Sequence, residues 1–243
     1  MTSRALALLD AFDEHHPRLS LTEVARRSGL ARSTAHRLLA ELEAWQGLVR
    51  RPDGRYEIGR RIWDLGLLAP VHRELREVAQ PFLQDVFAAT RENVHLAVRE
   101  GPNALYVEHI CGQRAVPLLS RAGSRLPLHA TGVGKALLAH APRTVQEQVL
   151  ATLTPVTALT VTDPARLRAQ LEEVRRRGYA RTSEEMSLGT SSIAVAILGP
   201  DGEALAALGV VAAGGRRELG RLAPALQVAA RAIARELERT VIS

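Results

Sequence analysis

The stretch that decides the fold runs from Ser20 to Leu42 and reads SLTEVARRSGLARSTAHRLLAEL. Ser20 and Glu23 stand three residues apart, which is the capping-box pattern of a helix N-terminus. Gly29 is placed to end this short helix in the left-handed conformation. The apolar spacing then predicts a second helix, with a buried stripe at Ala35, Leu38, Leu39 and Leu42. Two short helices joined by a glycine turn are typical of a helix-turn-helix.

The outward side of the second helix carries basic and hydroxyl-bearing residues. Between Val24 and Ala40 the chain has four arginines and no acid. The run from Leu48 to Ile58 then predicts two short strands about an Asp-Gly turn, which would form a basic wing. A single arginine is more simply a solvated surface charge, so the prediction of duplex DNA binding depends on the cluster. The expected DNA-binding residues are Arg32, Ser33, Thr34, His36, Arg37, Arg50, Arg51 and Arg55.

Composition agrees with a DNA-binding protein of two domains. The chain has 243 residues and a formal charge of +6, which favours a polyanionic partner, and only 3% aromatic residues, which favours duplex over single-stranded nucleic acid. Its single cysteine, Cys111, excludes an intramolecular disulfide. Apolar stretches such as Ala204 to Ala213 are too short to span a membrane, and the first residues show no secretory apolar core. We therefore expect a cytoplasmic protein without a membrane partner.

The rest of the chain predicts an α+β domain. Arg60 to Ala69 is typical of a helix, and the apolar stripe that follows is interrupted at Pro81. Period-two alternation predicts a pair of strands around residues 94–110 and a second pair around 193–211. Between these pairs Asp163 and Pro164 predict a helix start, and a closing helix follows the second pair. Antiparallel strands segregated from helices favour an α+β arrangement.

A series of motifs in this order carries a resemblance to a known family. They are Ser33 to Leu39 after Gly29-Leu30, Tyr56 to Gly59, Gly123 to Ala139, and Arg177-Gly178-Tyr179 followed by Glu184, Glu185 and Gly189. Over nearly its whole length the chain resembles the IclR family of bacterial transcription regulators. The resemblance implies a winged helix-turn-helix DNA-binding domain at residues 1–59, a linker helix at 60–80 and a GAF-like effector-binding domain at 81–243. It also implies operator DNA, a small-molecule effector and a homodimer or dimer of dimers as partners, and leaves repression or activation open.

Other chemistry is weakly supported by the residues. The run from Gly132 to Lys135 fails as a phosphate loop, because that motif would need a glycine where His129 stands and a hydroxyl where Ala136 stands. We interpret Lys135 as a surface charge near a helix start, and Glu184 and Glu185 as neighbours that point to opposite faces. Three scattered histidines, His95, His109 and His129, do not have the spacing of a metal site. We predict neither a metal nor a cofactor and no catalytic residue. The alternative is an enzyme of small-acid metabolism with an accessory DNA-binding module.

The resemblance also implies where the effector binds. The predicted pocket walls are Leu126, Leu128, Gly132, Val133, Thr182, Thr190, Ser192 and Gly209. Backbone amides at Gly132 and Val133 would hold a carboxylate at a helix start, although glycines there can equally serve close packing. Family members that bind very small oxoacids have an acid at the position of Thr182, a cysteine at Ser192, and serines at Gly209 and Val211. The pocket of this chain should therefore be roomier and less polar, and should favour a small organic acid with a larger, even aromatic, body.

Overall fold

A computed structural model describes residues 2–13, 16–69, 72–111, 121–214 and 217–242. The chain divides into two compact units, residues 1–71 and residues 72–243. The division lies inside the 60–80 segment that the sequence predicts as a linker. The described residues of that segment belong to two helices, with Leu68, Ala69 and His72 outside both of them.

The first unit is a small helical domain with a three-stranded sheet. Its helices are α1 (Thr2–Leu9), α2 (Leu21–Ser28), α3 (Arg32–Ala44) and α4 (Arg60–Leu67), and its strands are β1 (Arg18–Leu19), β2 (Leu48–Arg50) and β3 (Tyr56–Ile58). The sheet is antiparallel in the order β1-β3-β2. Leu8, Val24, Leu39 and Tyr56 are among the residues that meet in its core. These elements form the predicted winged helix-turn-helix.

Local signals place the ends of α2 as predicted. The Glu23 amide donates to the Ser20 hydroxyl at 3.3 Å, and the Ser20 amide donates to the Glu23 carboxylate at 2.7 Å. Gly29 has φ +69° and closes the helix in the left-handed conformation. The capping box and the glycine therefore determine the length of the helix that precedes α3.

The second unit has a six-stranded antiparallel sheet in the order β6-β5-β4-β9-β8-β7. Its strands are β4 (Asn93–Glu100), β5 (Asn103–Ile110), β6 (Arg125–Pro127), β7 (Ala180–Ser183), β8 (Thr190–Leu198) and β9 (Ala204–Ala213). Both predicted strand pairs are present, as β4 with β5 and β8 with β9. Strands β4 and β9 pair in the middle of the sheet and join the two hairpins.

Helices cover both faces of this sheet. They are α5 (Arg73–Thr90), α6 (Gly132–Ala139), α7 (Arg143–Ala151), α8 (Pro164–Arg177) and α9 (Ala223–Ile242), with a 3₁₀ helix at Arg217–Leu222. One core lies between the sheet and helices α5 and α9, and a second lies between the sheet and helices α6, α7 and α8. Successive side chains of β4 therefore point alternately to two buried faces of the sheet, rather than to one buried face and one solvent-exposed face. The helices of the described residues include none long and apolar enough to cross a membrane.

The predicted interruption at Pro81 is wrong, because α5 continues through this residue. A proline removes one amide donor from a helix. Leu75, Ala79 and Leu83 on the same helix are buried against the sheet. We attribute the continuity of α5 to this packing, which outweighs the missing hydrogen bond.

Candidate functional site

The first candidate site is the outward face of α3. Ala35, Leu38 and Leu39 face the core of the first unit, so the intervening residues face solvent. The predicted DNA-binding residues Arg32, Ser33, His36 and Arg37 are exposed, and Thr34 is half-buried. Five residues that the pattern assigns to DNA thus share one accessible helix face.

The hairpin of β2 and β3 forms the predicted basic wing. Its tip closes through a hydrogen bond from the Arg51 amide to the Arg55 carbonyl at 2.8 Å, and Gly54 takes φ +78°. Arg50, Arg51 and Arg55 are all exposed. The Arg50 guanidinium lies 5.8 Å from the centre of the Tyr56 ring. The wing therefore presents three cations on a short, closed hairpin.

The arginines differ in the charges that already face them. The Arg37 guanidinium bonds to Glu41 at 2.6 Å, and Arg51 pairs with Glu57. The Arg51 guanidinium holds the pKa of the Glu57 carboxyl below its ordinary value. Arg32 has no ion-pair partner among the described residues. A phosphate would thus compete with a carboxylate for Arg37 and Arg51, but would meet Arg32 unopposed.

The second candidate site is a cavity in the second unit, between the start of α6 and the sheet. It contains about 540 Å³ of space not filled by atoms, part of it open to solvent. Its walls are His95, Tyr106, Leu126, Thr131, Gly132, Val133, Thr182, Met186, Ser187, Thr190, Ser192, Ile193, Gly209, Val210 and Val211. None of these lining residues is an arginine, lysine, aspartate or glutamate.

Glycines let α6 approach the sheet closely. A Cβ at Gly132 would collide with the hydroxyl of Ser192, and a Cβ at Gly209 would lie 2.7 Å from the Val133 side chain. Thr131 caps the helix, and its hydroxyl accepts from the Gly134 amide at 3.1 Å. The amides of Gly132 and Val133 have no acceptor among the described residues. Two amides and the positive end of the α6 dipole therefore remain available at the cavity wall.

Family models match the chain in two segments. The helix-turn-helix domain of IclR matches residues 2–53, and the C-terminal domain described as bacterial transcriptional regulator IclR C-terminal matches residues 69–237. The chain belongs to the IclR family. It is a transcription regulator with a helix-turn-helix DNA-binding domain.

Relatives of this IclR-family chain match it over nearly their whole length. The HTH-type transcriptional regulator XynR of Escherichia coli strain K12 is 31% identical over 240 residues, which is 96% of this chain and 95% of XynR. The glycerol operon regulatory protein of Streptomyces coelicolor is 34% identical, over 97% of this chain and 94% of its own length. A crystal structure of an IclR homologue from Microbacterium hydrocarbonoxydans, complexed with 4-hydroxybenzoate, superposes with a TM-score of 0.88. It is 34% identical, covering 98% of this chain and 99% of that one.

Seven of the eight predicted effector contacts line the cavity, and the prediction for Leu128 is wrong. Leu128 is fully buried in the core beneath α6, packed with residues of α6, α7 and α8. Its carbonyl oxygen lies where a Cβ at Gly134 would fall, so the tight start of α6 closes Leu128 off from the cavity. The hydroxyls of Thr182 and Ser192 are already bonded to each other at 2.6 Å.

Sequence reasoning missed two aromatic residues of the cavity wall. His95 on β4 and Tyr106 on β5 line the cavity, and their rings meet edge to face with centroids 5.3 Å apart. Burial lowers the pKa of His95 to about 3, and the charge of His109 adds to the decrease. Burial also raises the pKa of the Tyr106 hydroxyl. The period-two pattern of β4 places His95 on the α6 side of the sheet, but it carries no sign that a cavity lies there.

The interpretation of Lys135 as a surface charge is wrong. Lys135 is 1% exposed, and its ammonium donates to both carboxylate oxygens of Glu185 at 2.6 and 2.7 Å and to Gln170 Oε1 at 2.8 Å. Burial lowers the pKa of Lys135, and the charge of Glu185 opposes the decrease. Glu185 reaches inward because Glu184 adopts φ +58° and ends the extended run of β7. The pair connects α6 to the segment whose next residues, Met186 and Ser187, line the cavity.

The histidines that the sequence suggested do not assemble with acids into a metal cluster within the described residues. His95 and His109 face each other across β4 and β5, with ring centroids 4.6 Å apart. His129 is buried elsewhere, with its Nε2 2.9 Å from the Thr154 carbonyl oxygen. His95 therefore belongs to the cavity wall with His109 beside it, and His129 belongs to the packing beside α6.

Proposed function

We propose that this protein is a metabolite-responsive regulator that binds operator DNA with residues 1–59 and a small organic acid with residues 81–243. In this proposal residues 60–80 connect the two parts. The observation that carries it is the combination of a basic winged surface in one unit and, in the other, a cavity whose described lining residues include no arginine, lysine, aspartate or glutamate. The protein acts where bacterial DNA lies, in the cytoplasm.

We propose that the exposed face of α3 enters the major groove and that the wing contacts the flanking backbone or minor groove. The face combines arginines with Ser33, Thr34 and His36, so it offers donors and acceptors to base edges as well as cations to phosphates. Arg32 should contribute more to binding than Arg37 or Arg51, because it gives up no ion pair when it meets DNA. Arg37 and Arg51 first have to leave Glu41 and Glu57.

A duplex selected from a random library tests this surface by fluorescence anisotropy over a salt series. Arg32→Ala should weaken binding and, if Arg32 contacts a phosphate, reduce the slope of log affinity against log salt by about one unit. If Arg32 contacts a base, the loss should be about 1 to 3 kcal/mol and one base position should become degenerate. Arg143→Ala is the matched control, because Arg143 is exposed on α7 and paired with Glu147. Binding of Arg32→Ala and Arg51→Ala equal to the parent would refute this surface.

We propose that the effector is a monocarboxylic acid with an aromatic or similarly broad apolar body. The free amides at Gly132 and Val133 suit one carboxylate, and the surrounding walls are largely apolar. The similar protein from Microbacterium hydrocarbonoxydans was crystallised with 4-hydroxybenzoate, an acid of this kind. Two- and three-carbon oxoacids lack such an apolar body.

Thermal shift with benzoate, 4-hydroxybenzoate, pyruvate and glyoxylate tests the effector class. A ligand at a hundredfold excess over its Kd should stabilise the second unit by about 2.7 kcal/mol. Thr182→Phe fills the cavity from β7 and should abolish the shift. Ser183→Phe introduces the same ring at the exposed neighbouring residue and should preserve it. Stabilisation by the oxoacids alone, or an equal shift in Thr182→Phe, would contradict the proposal.

We propose that the protein binds DNA as a homodimer or dimer of dimers, with α4 as a contact. The sequence offers five apolar residues for this contact: Ile62, Trp63, Leu65, Leu67 and Leu68. Of these, Trp63 is 59% exposed and Leu68 is 72% exposed. Leu65 on the same helix is 49% exposed, and apolar side chains this accessible on α4 and just after its end favour a protein contact. A two-fold dimer would also read two half-sites, as tight operator binding requires.

Sedimentation velocity at micromolar concentration tests assembly. The parent should sediment as a dimer or tetramer, and Trp63→Asp should shift it toward a smaller species. Leu188→Asp is the control, because Leu188 is 63% exposed in the second unit. An unchanged assembly in Trp63→Asp would remove α4 from the interface.

We propose that the second unit senses the acid and does not convert it. Among the lining residues, the Thr182 and Ser192 hydroxyls bond to each other, and the Thr190 hydroxyl donates to the Ser187 carbonyl. The buried imidazole of His95 is not hydrogen-bonded to a hydroxyl of the described lining residues, so it activates none of them as a nucleophile. Recovery of the bound acid unchanged after prolonged incubation, measured by NMR, is the expected result.

A further inference from the structure

The sheet places two polar side chains in adjacent rows of the face that lies under α6. Across β9 and β4, Val211 pairs with Asn93 and Gly209 pairs with His95. Paired residues of antiparallel strands share a face, and so do residues two apart on one strand. Asn93 and His95 therefore lie on the same side of β4, next to Val211 and Gly209, which line the cavity.

Both side chains are buried without hydrogen-bond partners. Asn93 and His95 are each 1% exposed. Within the described part of the chain, neither amide atom of Asn93 and neither ring nitrogen of His95 has a partner. Native proteins rarely leave such groups unpaired, and a ligand is one of the reasons why they do.

Three other polar side chains of the cavity wall already have hydrogen-bond partners within the protein. The Thr182 and Ser192 hydroxyls bond to each other, and Thr131 accepts from the start of α6. Unpaired backbone amides thus remain at Gly132 and Val133, and buried, unpaired side-chain groups remain at His95 and Asn93. A ligand that satisfies both therefore carries two polar groups.

His95 and Asn93 determine which chemical group suits the second polar position of the ligand. A neutral imidazole offers one donor and one acceptor, and a side-chain amide offers both as well. Burial keeps the pKa of His95 near 3, so the ring is neutral at physiological pH. A second carboxylate would be buried beside these groups without a cation among the lining residues, which is costly. A hydroxyl both donates and accepts, and it remains uncharged.

We propose that His95, supported by Asn93, is a specificity-determining residue that receives a hydroxyl group of the effector, so that the preferred ligands are hydroxylated carboxylic acids. This inference rests on the proposed acid-binding function of the cavity. Gly209 is part of the arrangement, because a side chain there would stand beside the His95 ring in the neighbouring strand.

Calorimetric titration of the full chain with benzoate and with 2-, 3- and 4-hydroxybenzoate tests the inference. The parent should bind one hydroxylated isomer at least tenfold more tightly than benzoate. His95→Phe retains a ring against Tyr106 and His109 but removes both nitrogens. It should bind benzoate within about threefold of the parent and lose the preference. His95→Gln keeps a donor and an acceptor and should retain part of the preference for the hydroxylated acid over benzoate. Asn93→Leu should reduce this preference.

The outcomes separate the two levels of the proposal. If the acids bind the parent and His95→Phe with the same preference, the hydroxyl subsite is refuted while acid binding stands. If the parent binds benzoate as tightly as every hydroxylated isomer, the subsite is also refuted. If none of the four acids binds the folded parent, the proposed effector class fails and the subsite fails with it. Retained melting temperature and DNA binding in His95→Phe show that the variant is folded.

Discussion

The buried ion pair of Lys135 and Glu185 should be a large determinant of the stability of the second unit. Its side chains are 1% and 7% exposed, and the ammonium lies 2.6 and 2.7 Å from the two carboxylate oxygens. Lys135→Met leaves a carboxylate buried without its counter-charge, and Glu185→Gln leaves an ammonium in the same position. The remaining charge loses its attraction but keeps its desolvation cost.

The magnitude follows from this burial. Each single variant should lose about 3 to 5 kcal/mol of unfolding free energy, because breaking a buried pair leaves an uncompensated charge. The double variant should lose less than either single one, since it buries no charge. At roughly 2 to 4 °C per kcal/mol for a unit of this size, each single variant should melt about 6 to 20 °C below the parent.

Urea and thermal unfolding at pH 7, followed by circular dichroism, measure this cycle. Arg143→Met breaks the pair with Glu147, in which Arg143 is 91% exposed, and should change stability by less than about 0.5 kcal/mol. Single-variant losses below about 1 kcal/mol, or additive losses in the double variant, would refute the assignment of Lys135 and Glu185 as a tight buried pair. Because Glu185 precedes the cavity residue Met186, the single variants should also bind the acid more weakly.

Three further predictions follow from local structure. As the pH falls from 7 to 5, His95 becomes protonated in the unfolded chain, where its pKa is near the ordinary 6.5, but not in the folded chain, where its pKa is about 3. The free energy of unfolding should therefore fall by about 2 kcal/mol more in the parent than in His95→Phe. Urea unfolding at each pH measures this difference. Ser20→Ala removes the cap of α2 and should cost the first unit about 1 kcal/mol, whereas an unchanged melting temperature would contradict the capping role. Gly59→Ala places a Cβ against the Gln46 carbonyl oxygen at the start of α4, and should lower the melting temperature of the first unit, while Gly66→Ala in open space should not.

The DNA-binding unit was predictable because its signals are local. Ser20, Glu23 and Gly29 act within one or two helical turns, and their hydrogen bonds form as the spacing predicts. The stripe of α3 defines its outward face as soon as the helix exists, and the Asp-Gly turn defines the wing. The charged residues of this surface remain exposed in the structure, so the choice of candidate side chains needed no knowledge of distant contacts.

The cavity was predictable only in part. Gly132, Val133, Thr182 and Ser192 were assigned through resemblance to a family, and the structure brings them together from α6, β7 and β8. Leu128 is two residues from the cavity residue Leu126 and still faces the core. The short separation of Leu126 and Leu128 in the sequence does not reveal this difference. The side chain of Leu126 faces the cavity, whereas the side chain of Leu128, in the turn that leads into α6, faces the core.

What the sequence by itself determined is therefore the two helices of the helix-turn-helix with their caps and turn, the wing and the two long strand pairs, and the basic surface of the first unit. Only the tertiary structure decided that Lys135 is buried against Glu185 and that His95 and Asn93 lie unpaired beside a cavity. The physical reason is that both faces of the six-stranded sheet are covered. Alternation along β4 tells which residues share a face, but whether that face meets water, a core or a ligand depends on helices far away in the chain.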